Sequence, residues 1–228
     1  MTISSGGSHA SADDDIEDWL SLLDHVLQGL HHALNNRIGT LSALIELAEL
    51  SELPADGSAF KAVTSDIERL GDCNHVIDLL HRDTAAGEEP LMVDDVLTDA
   101  YAIHRYLHDV RDVQVAASPA RAAEPVRVHR WVLLRALSLL LYDARRLAKS
   151  RDRFVVAATD ADAEWVRVSF RVDDGAGGSV DAVPASFGGR HAEVLAERLG
   201  GNVFREAGAV GMRLPTLKAR RAREAALR

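Results

Sequence analysis

The chain has 228 residues, 47% of them hydrophobic, so it is long enough for one large or two small domains with buried cores. Its formal net charge is -9, and its only basic cluster is the tail from Lys218 to Arg228. This balance argues against nonspecific nucleic-acid binding, which requires clustered Lys and Arg. The single cysteine, Cys73, rules out an intrachain disulfide. No stretch resembles a signal peptide or a bilayer span of about 20 apolar residues, so we predict a soluble cytoplasmic protein.

A long amphipathic helix is predicted up to about Leu50, after a Ser- and Gly-rich N-terminus that we expect to be disordered. Between Leu20 and Leu44, leucines recur in alternating steps of three and four residues, which is typical of the seam of a coiled coil or helical bundle. The segment 51–58 has the Pro, Gly and Asp residues of a turn, so we expect the chain to reverse there.

A second amphipathic pattern runs from Phe60 to Ile77, with Asn74 on its seam, and predicts a helical hairpin. Two helices with apolar seams of this length bury too little surface to be stable as a lone hairpin. We therefore expect a second copy to complete a four-helix bundle and form a homodimer. The polar Asn74 would help to fix the register. The alternative is that the hairpin packs against the C-terminal half of its own chain.

One histidine lies off the predicted seam of the first helix. If Leu27 and Leu30 take the a and d positions, His32 falls at position f and points into solvent. Asn36 follows one turn later on nearly the same side. The neighbouring His31 falls at position e, closer to the seam, where we expect partial burial. The spacing therefore predicts that His32 is the imidazole that another protein can reach.

Downstream of a linker at 83–90, helix-like and strand-like patterns alternate, which predicts an α+β sandwich. The predicted helices cover 93–106, 129–148 and 190–199. The predicted strands cover 113–116, 126–128, 154–158, 165–172, 202–206 and 210–214. His104 and His108 have the spacing of a helical metal pair, but no third ligand accompanies them, so we expect a solvated face. The basic tail is expected to form a frayed, solvated helix.

The order of these elements resembles that of sensor histidine kinases, in which a dimerising hairpin with a phosphorylated histidine precedes an ATPase-like domain. The run His32-Ala33-Leu34-Asn35-Asn36 is similar to a phosphoacceptor box of that family that reads His, acid, Leu, Asn, Asn, with Ala33 in place of the acid. The resemblance implies that His32 accepts phosphate, that Asn36 orients a phosphoryl group or a hydrolytic water, and that Asn35 belongs to the same site. It divides the chain into a disordered N-terminus (1–13), a dimerisation and phosphotransfer hairpin (14–83), a degenerate ATPase-like domain (91–217) and a basic tail (218–228).

Two further runs resemble the nucleotide-binding boxes of that family. The run from Leu137 to Ala144 is similar to its nucleotide-binding helix, with Ser138 and Asp143 where that box has asparagines. The run Asp173-Asp174-Gly175-Ala176-Gly177 matches its Asp-x-Gly-x-Gly turn, although a tight turn after a strand has the same composition. If ATP is bound, the resemblance implies four contact residues: Asp143, Asp173, Gly175 and Gly177.

Three departures from the family pattern weaken ATP chemistry. Asp143 adds a negative charge where the family holds magnesium. The segment 178–187 is too short to form the lid that closes over a triphosphate. Ala33 removes the acid that orients the imidazole and takes its proton. We therefore expect that no cofactor is required, that ATP is not bound, and that Mg²⁺ is supplied by a response-regulator partner.

These features predict a dimeric histidine phosphotransferase that relays phosphoryl groups through His32 to and from aspartates of response-regulator receiver domains. An imidazole is largely unprotonated at neutral pH and can act as a nucleophile toward an aspartyl phosphate. Two alternatives stay open. One is a minimal active sensor-type histidine kinase that uses Asp143 and Asp173, and the other is a non-catalytic adaptor that binds a sensor kinase or a response regulator.

Overall fold

The computed structural model describes residues 10–50, 57–81, 87–118, 124–173, 189–206 and 208–226. The chain forms a helical hairpin followed by a mixed α+β domain, which confirms the predicted fold class. In the hairpin, α1 spans Ala10–Glu49 and α2 spans Ser58–His81. Helix α1 begins inside the segment that was expected to be disordered.

The face of α1 that packs inside the molecule overlaps only in part with the predicted seam. Leu22, Val26 and Leu30 are at most 2% exposed. The predicted seam residues Leu20 and Leu27 are 49% and 42% exposed. The helix carries two apolar stripes, and hydrophobic periodicity does not say which of them faces the rest of the chain. The predicted seam was therefore wrong at Leu20 and Leu27, whereas Leu30, which also belongs to it, packs inside the molecule.

The outward stripe of α1 consists of Leu20, Leu27, Ile38 and Ile45, all of them exposed. Steps of seven and eleven residues separate them, so at 3.6 residues per turn they lie within about 20° of one line along the helix. By the same rotation, Gly29 lies on the opposite side of α1. This helix therefore has an inward face and a separate apolar face that nothing in the described chain covers.

Helix α2 shows the same division. Its buried residues include Cys73 and Val76, which face the rest of the chain. Phe60 and Ile67 are exposed, and Asn74 follows at the same seven-residue spacing and is exposed too. Asn74 therefore lies on the outward stripe of α2, the side that a second copy of the chain would have to cover.

The described part of the α+β domain contains, in chain order, β1 (Glu89–Leu91), α3 (Val93–His104), β2 (Val115–Ala117), β3 (Val126–Val128), α4 (Arg130–Ser150), β4 (Phe154–Ala161), β5 (Trp165–Asp173), α5 (Gly189–Arg198), β6 (Asn202–Glu206), β7 (Ala209–Pro215) and α6 (Leu217–Ala226). One sheet has the strand order β2-β4-β5-β7-β6, with β2 parallel to β4 and the other neighbours antiparallel. Strands β1 and β3 form a small antiparallel pair. Helix α4 packs against α3, α5 and the sheet.

The sheet and α4 follow directly from their sequence patterns. In β5, buried Val166, Val168 and Phe170 alternate with the exposed Arg167 and Arg171, as predicted for a half-exposed strand. Helix α4 is apolar over most of its circumference because helices cover two of its sides and the sheet covers a third. The domain core therefore lies between this helical layer and one face of the sheet.

Two segments at the edge of the domain differ from the predictions. The end of the predicted linker contains β1, which pairs with β3. The basic tail forms α6, where Nη2 of Arg220 donates to both carboxylate oxygens of Glu88 at 2.8 and 2.7 Å. Arg223 lies over the Trp165 ring, 5.0 Å from its centroid. The tail is therefore docked, and its partners are too distant in sequence for local patterns to reveal them.

Helix α1, with 40 residues, is long enough to reach across a bilayer, but it is amphipathic. Within the described ranges, no helix combines the length and the apolar character that crossing a membrane requires.

Candidate phosphoacceptor site

His32 lies on an exposed face of α1, among polar residues that interrupt the apolar pattern. Its Nε2 atom is 3.1 Å from the side-chain nitrogen Nδ2 of Asn36, one helical turn later. Because an amide nitrogen can only donate, Nε2 accepts this hydrogen bond, and the proton of the neutral ring lies on Nδ1. The structure therefore brings the two predicted site residues together and holds an unprotonated ring nitrogen in a defined direction.

A second pair of the same kind precedes this one by a single residue. Nδ2 of Asn35 lies 3.1 Å from Nε2 of His31, so Asn35 contacts His31 rather than His32. His31 is exposed, and the partial burial expected for it is not found within one chain. It lies seven residues before Ile38, on the outward apolar stripe. Two hydrogen bonds of equal length do not by themselves separate the two histidines.

His32 differs from His31 in a contact with the α+β domain. The His32 and His108 rings lie edge to face, with their centroids 5.3 Å apart and their planes at 70°. His108 is exposed and belongs to the residues 105–113 between α3 and β2, called here the 105–113 turn segment. Helix α3 ends at His104, so His104 and His108 do not share a helix as their spacing predicted.

The close approach of the 105–113 turn segment to α1 depends on Gly29. A Cβ atom at this position would lie 1.8 Å from the carbonyl oxygen of Tyr106, a distance that no side chain can adopt. The Tyr106 hydroxyl also lies 3.4 Å from Sγ of buried Cys73 on α2. A glycine inside a strong helix costs about 1 kcal/mol relative to alanine, so Gly29 was a sequence signal for close backbone approach.

Helix α4 holds the same segment from the other side. The buried guanidinium of Arg145 donates to three backbone carbonyl oxygens, those of His104, Val110 and Val113. The hydroxyl of Tyr142 donates to the carboxylate of Asp109 at 2.6 Å, and burial together with this hydrogen bond raises the pKa of Tyr142. The backbone on both sides of His108 is therefore tied to the domain core.

His104, which was expected on a solvated face, is 1% exposed and lies in the core. Its Nε2 donates to the carbonyl oxygen of Ser138 at 2.9 Å. Burial, and then the positive charge of Arg145, lower the pKa of His104 to about 3, so the ring is neutral at pH 7. The expectation was wrong because His104 follows Ala100 by one turn on the inward face of α3.

A cleft of about 310 Å³ lies beside the site, between α1, α2 and the start of the 105–113 turn segment. It is lined by Arg37, Arg69 and Arg105. Arg37 donates to Asp66, which is buried, at 2.9 Å, and this pairing explains why an arginine interrupts the apolar pattern of α1. Arg105 pairs with Asp72 at 3.4 Å. Three arginines against two aspartates favour the approach of an anionic group.

The residues that resemble a nucleotide site lie in the α+β domain. Asp143 is 3% exposed, in the middle of α4. Its Oδ2 atom and Nη2 of Arg205 both lie close to Gly189, where a Cβ atom would be 3.6 Å from the first and 2.7 Å from the second. A ligand of nucleotide-bound Mg²⁺ must reach a partly hydrated ion. A carboxylate enclosed in this way does not fit that role.

Asp173 is the last residue of β5 and is half-buried. Its carboxylate pairs with the guanidinium of Arg171 at 3.6 Å. Gly175 and Gly177 lie outside the described residues. Of the four predicted nucleotide contacts, the structure therefore places two, one of them enclosed and the other paired with a cation.

No protein-family model matches the chain, and no curated protein matches it in sequence. Solved structures match its fold loosely. The histidine kinase ThkA, in complex with the response regulator protein TrrA, is 12% identical with a TM-score of 0.47, and the match covers 95% of this chain and 69% of that one. The histidine kinase AdeS of Acinetobacter baumannii is 13% identical with a TM-score of 0.38, covering 81% of this chain and 96% of its own.

The ATP-binding domain of PrrB from Mycobacterium tuberculosis is 17% identical with a TM-score of 0.43, and the match covers 57% of this chain and 98% of that domain. ThkA and AdeS are histidine kinases, and the PrrB structure is an ATP-binding domain. At these scores and identities the likeness concerns the outline of the fold, and it does not assign an activity to this chain.

Proposed function

We propose that the chain is a histidine-containing phosphotransferase that relays phosphoryl groups through His32 to and from aspartates of response-regulator receiver domains, without binding ATP. The observation that supports this proposal is the hydrogen bond from Asn36 to Nε2 of His32 on an exposed face of α1. It leaves the ring proton on Nδ1 and a lone pair on Nε2. This is the form of imidazole that acts as a nucleophile.

In the proposed reaction, Asn36 releases Nε2, whose lone pair attacks phosphorus in line with the bond to the aspartate oxygen. The N–P bond forms as the O–P bond breaks, and the aspartate carboxylate leaves with the electron pair. The His32 ring, still protonated on Nδ1, becomes an imidazolium that can lose this proton to solvent. The freed amide of Asn36 is one helical turn away and can donate a hydrogen bond to a phosphoryl oxygen.

The phosphoryl donor in this proposal is a protein. Asp143 is enclosed in α4, and a carboxylate there does not fit a nucleotide-bound metal ion. A phosphorylated receiver domain brings its own Mg²⁺, so the chain has to supply only a positioned nucleophile. The arginine-lined cleft beside His32 adds a favourable potential for an acidic partner surface.

The homodimer is part of the proposal and is supported by the outward apolar stripe. That stripe lies opposite Gly29, where the α+β domain packs, so a second hairpin can cover it without displacing this domain. The dimer would bury His31, which lies on the stripe. His32 lies about 120° around the helix from the stripe and would stay open to a regulator.

The test is phosphoryl transfer from a receiver domain radiolabelled on its aspartate. Wild type, His32→Ala and His31→Ala are each incubated with the labelled receiver domain, and the label on each protein is followed on a gel. We expect the label to move to wild type and to His31→Ala, and to fall to background in His32→Ala. His31→Ala is a matched control because it removes the neighbouring imidazole, which accepts the same kind of hydrogen bond from the asparagine four residues later.

Two other outcomes would contradict the proposal and select an alternative. ATP binding in calorimetry, together with labelling of His32 from ATP, would identify a minimal active histidine kinase. Binding of a regulator or sensor kinase that His32→Ala leaves unchanged, with no labelling from any donor, would identify an adaptor.

A further inference from the structure

The geometry points to His108 as a positioning residue for the proposed phosphotransfer, one that holds the His32 ring in the orientation in which Nε2 meets the incoming phosphoryl group. The inference rests on the proposed function. His108 forms no bond to the phosphoryl group and transfers no proton in it. It acts through its contact with the His32 ring.

The hydrogen bond from Asn36 restrains only one atom of the His32 ring, about which the ring can still tilt. The edge-to-face contact with His108, at 5.3 Å between centroids, gives the ring a second support. When Nε2 attacks, Asn36 has released it, so the His108 ring is the side-chain support that remains. Displacing a reacting group by about 1 Å can cost about 100-fold in rate, which makes this support important for an in-line attack.

A positioning residue must itself be held in place, and the chain on both sides of His108 is anchored. Leu107 is fully buried, and Asp109 accepts the 2.6 Å hydrogen bond from Tyr142. Arg145 ties three further carbonyl groups of this region to α4. Gly29 lets the backbone of the segment approach α1 one turn before His32. The domain therefore presents His108 from a rigid base.

His31 is a histidine on the same helix that lacks the ring contact of His32 in the part of the chain that the structure describes. It accepts a hydrogen bond of the same 3.1 Å length from an asparagine four residues later, and it is also exposed. In the described residues, a ring contact is found for His32 and not for His31. In the monomer, His31 is therefore an internal reference for a histidine restrained by the amide alone.

The contact can be tested without any phosphoryl transfer. Carbon-13 relaxation of the imidazole ring carbons is measured for His31 and His32 in wild type, His108→Ala and His108→Phe, each at a dilution where the chain is monomeric and no second copy covers His31. We expect the His32 ring to be more ordered than the His31 ring in wild type. The two should become similar in His108→Ala, and His108→Phe should restore the difference because it keeps an aromatic ring at the contact. Equal order in wild type, or no change in His108→Ala, would overturn the inference.

The kinetic test separates positioning from partner binding. Transfer from a phosphorylated receiver domain is measured as a function of receiver concentration. We expect His108→Ala to lower the rate at saturating receiver by about tenfold, with the half-saturating concentration unchanged, and His108→Phe to recover most of this rate. If His108→Ala raises only the half-saturating receiver concentration and leaves the rate at saturating receiver unchanged, His108 is a docking contact and the positioning role is overturned.

The two levels of the proposal fail in different ways. If wild type accepts no phosphoryl group from any receiver domain, the proposed function fails and the role of His108 falls with it. If wild type accepts phosphate and His108→Ala matches it in both ring order and rate, only the role of His108 fails. Circular dichroism of each variant shows whether a lost rate reflects unfolding, and His108→Phe then decides the question in a folded protein.

Discussion

His31 and His32 lie on the surface of the hairpin, and each accepts a hydrogen bond from an asparagine amide. In the α+β domain, His104 is 1% exposed and donates to a backbone carbonyl. The first kind of imidazole can reach a partner protein, whereas the second fills the core and stabilises the domain. Residue type therefore says little about chemistry here until the burial of each histidine is known.

Apolar residues show the same contrast between the two regions. The leucines at the centre of α4, including Leu139 and Leu140, are completely buried. On the hairpin, Ile45 and Phe60 are 60% and 78% exposed. The apolar core of the domain is thus covered within the chain, while the hairpin has apolar surface that a further partner can cover.

The largest expected effect is a cavity in the core of the domain. Leu140→Ala should lower the free energy of unfolding by about 2–5 kcal/mol, because the side chain is fully enclosed. Ile45→Ala should change it by no more than about 0.5 kcal/mol at a protein concentration where the chain is monomeric. Urea unfolding of both variants measures the difference. Equal losses would contradict the division into a complete domain and an incomplete hairpin.

Acid should weaken the domain through His104. Its pKa is near 6.5 in the unfolded chain and about 3 in the fold, so between these values the unfolded state binds more protons. The neutral His104 ring therefore contributes its full stabilisation above about pH 6.5. The free energy of unfolding falls as the pH drops toward 3, with a loss of about 2 kcal/mol by pH 5. Urea unfolding at several pH values should show this slope in wild type and in His25→Gln, an exposed control on α1. His104→Gln should lose it.

Charges on the outward stripe should weaken the proposed dimer. The double variant Ile38→Lys/Ile45→Lys places two cations on a surface that would become buried, so we expect at least a tenfold weaker association, or about 1.4 kcal/mol. Sedimentation equilibrium measures the dissociation constant. Glu46→Lys, exposed on α1 but off the stripe, should leave it nearly unchanged. A wild-type chain that is monomeric at micromolar concentration in light scattering would rule out the dimer.

A local effect is expected at the junction of the two regions. Gly29→Ala introduces a Cβ atom 1.8 Å from the Tyr106 carbonyl oxygen, so the backbone of one segment has to move, and we expect a cost of at least about 3 kcal/mol, at the upper end for overpacking. Better helix propensity returns only about 1 kcal/mol, so we expect a net loss of at least about 2 kcal/mol. Gly39→Ala is the matched control, because nothing lies within 4 Å of its added Cβ, and it should be stabilising. The midpoint temperature of thermal unfolding should therefore fall for Gly29→Ala and rise for Gly39→Ala.

Most element boundaries in both regions could be predicted, because helical and strand periods are local. Strand β5 and helix α4 follow from spacing that a window of about ten residues contains. The meeting of His32 and Asn36 follows from the same logic, since residues four apart in a helix are neighbours. The burial of His104 could also have been predicted, because this residue continues the inward face of α3. Its spacing from His108, which is that of a helical metal pair, suggested otherwise.

By itself, the sequence determined the order of helices and strands, the exposed position of His32 and its pairing with Asn36, because each of these depends on residues close together in the chain. Only the tertiary structure decided which apolar stripe of α1 packs inward, where the basic tail docks, and which side chain lies against His32. The physical reason is that these contacts join distant segments. Gly29 meets Tyr106, and His32 meets His108, only after the α+β domain has folded and packed against the hairpin.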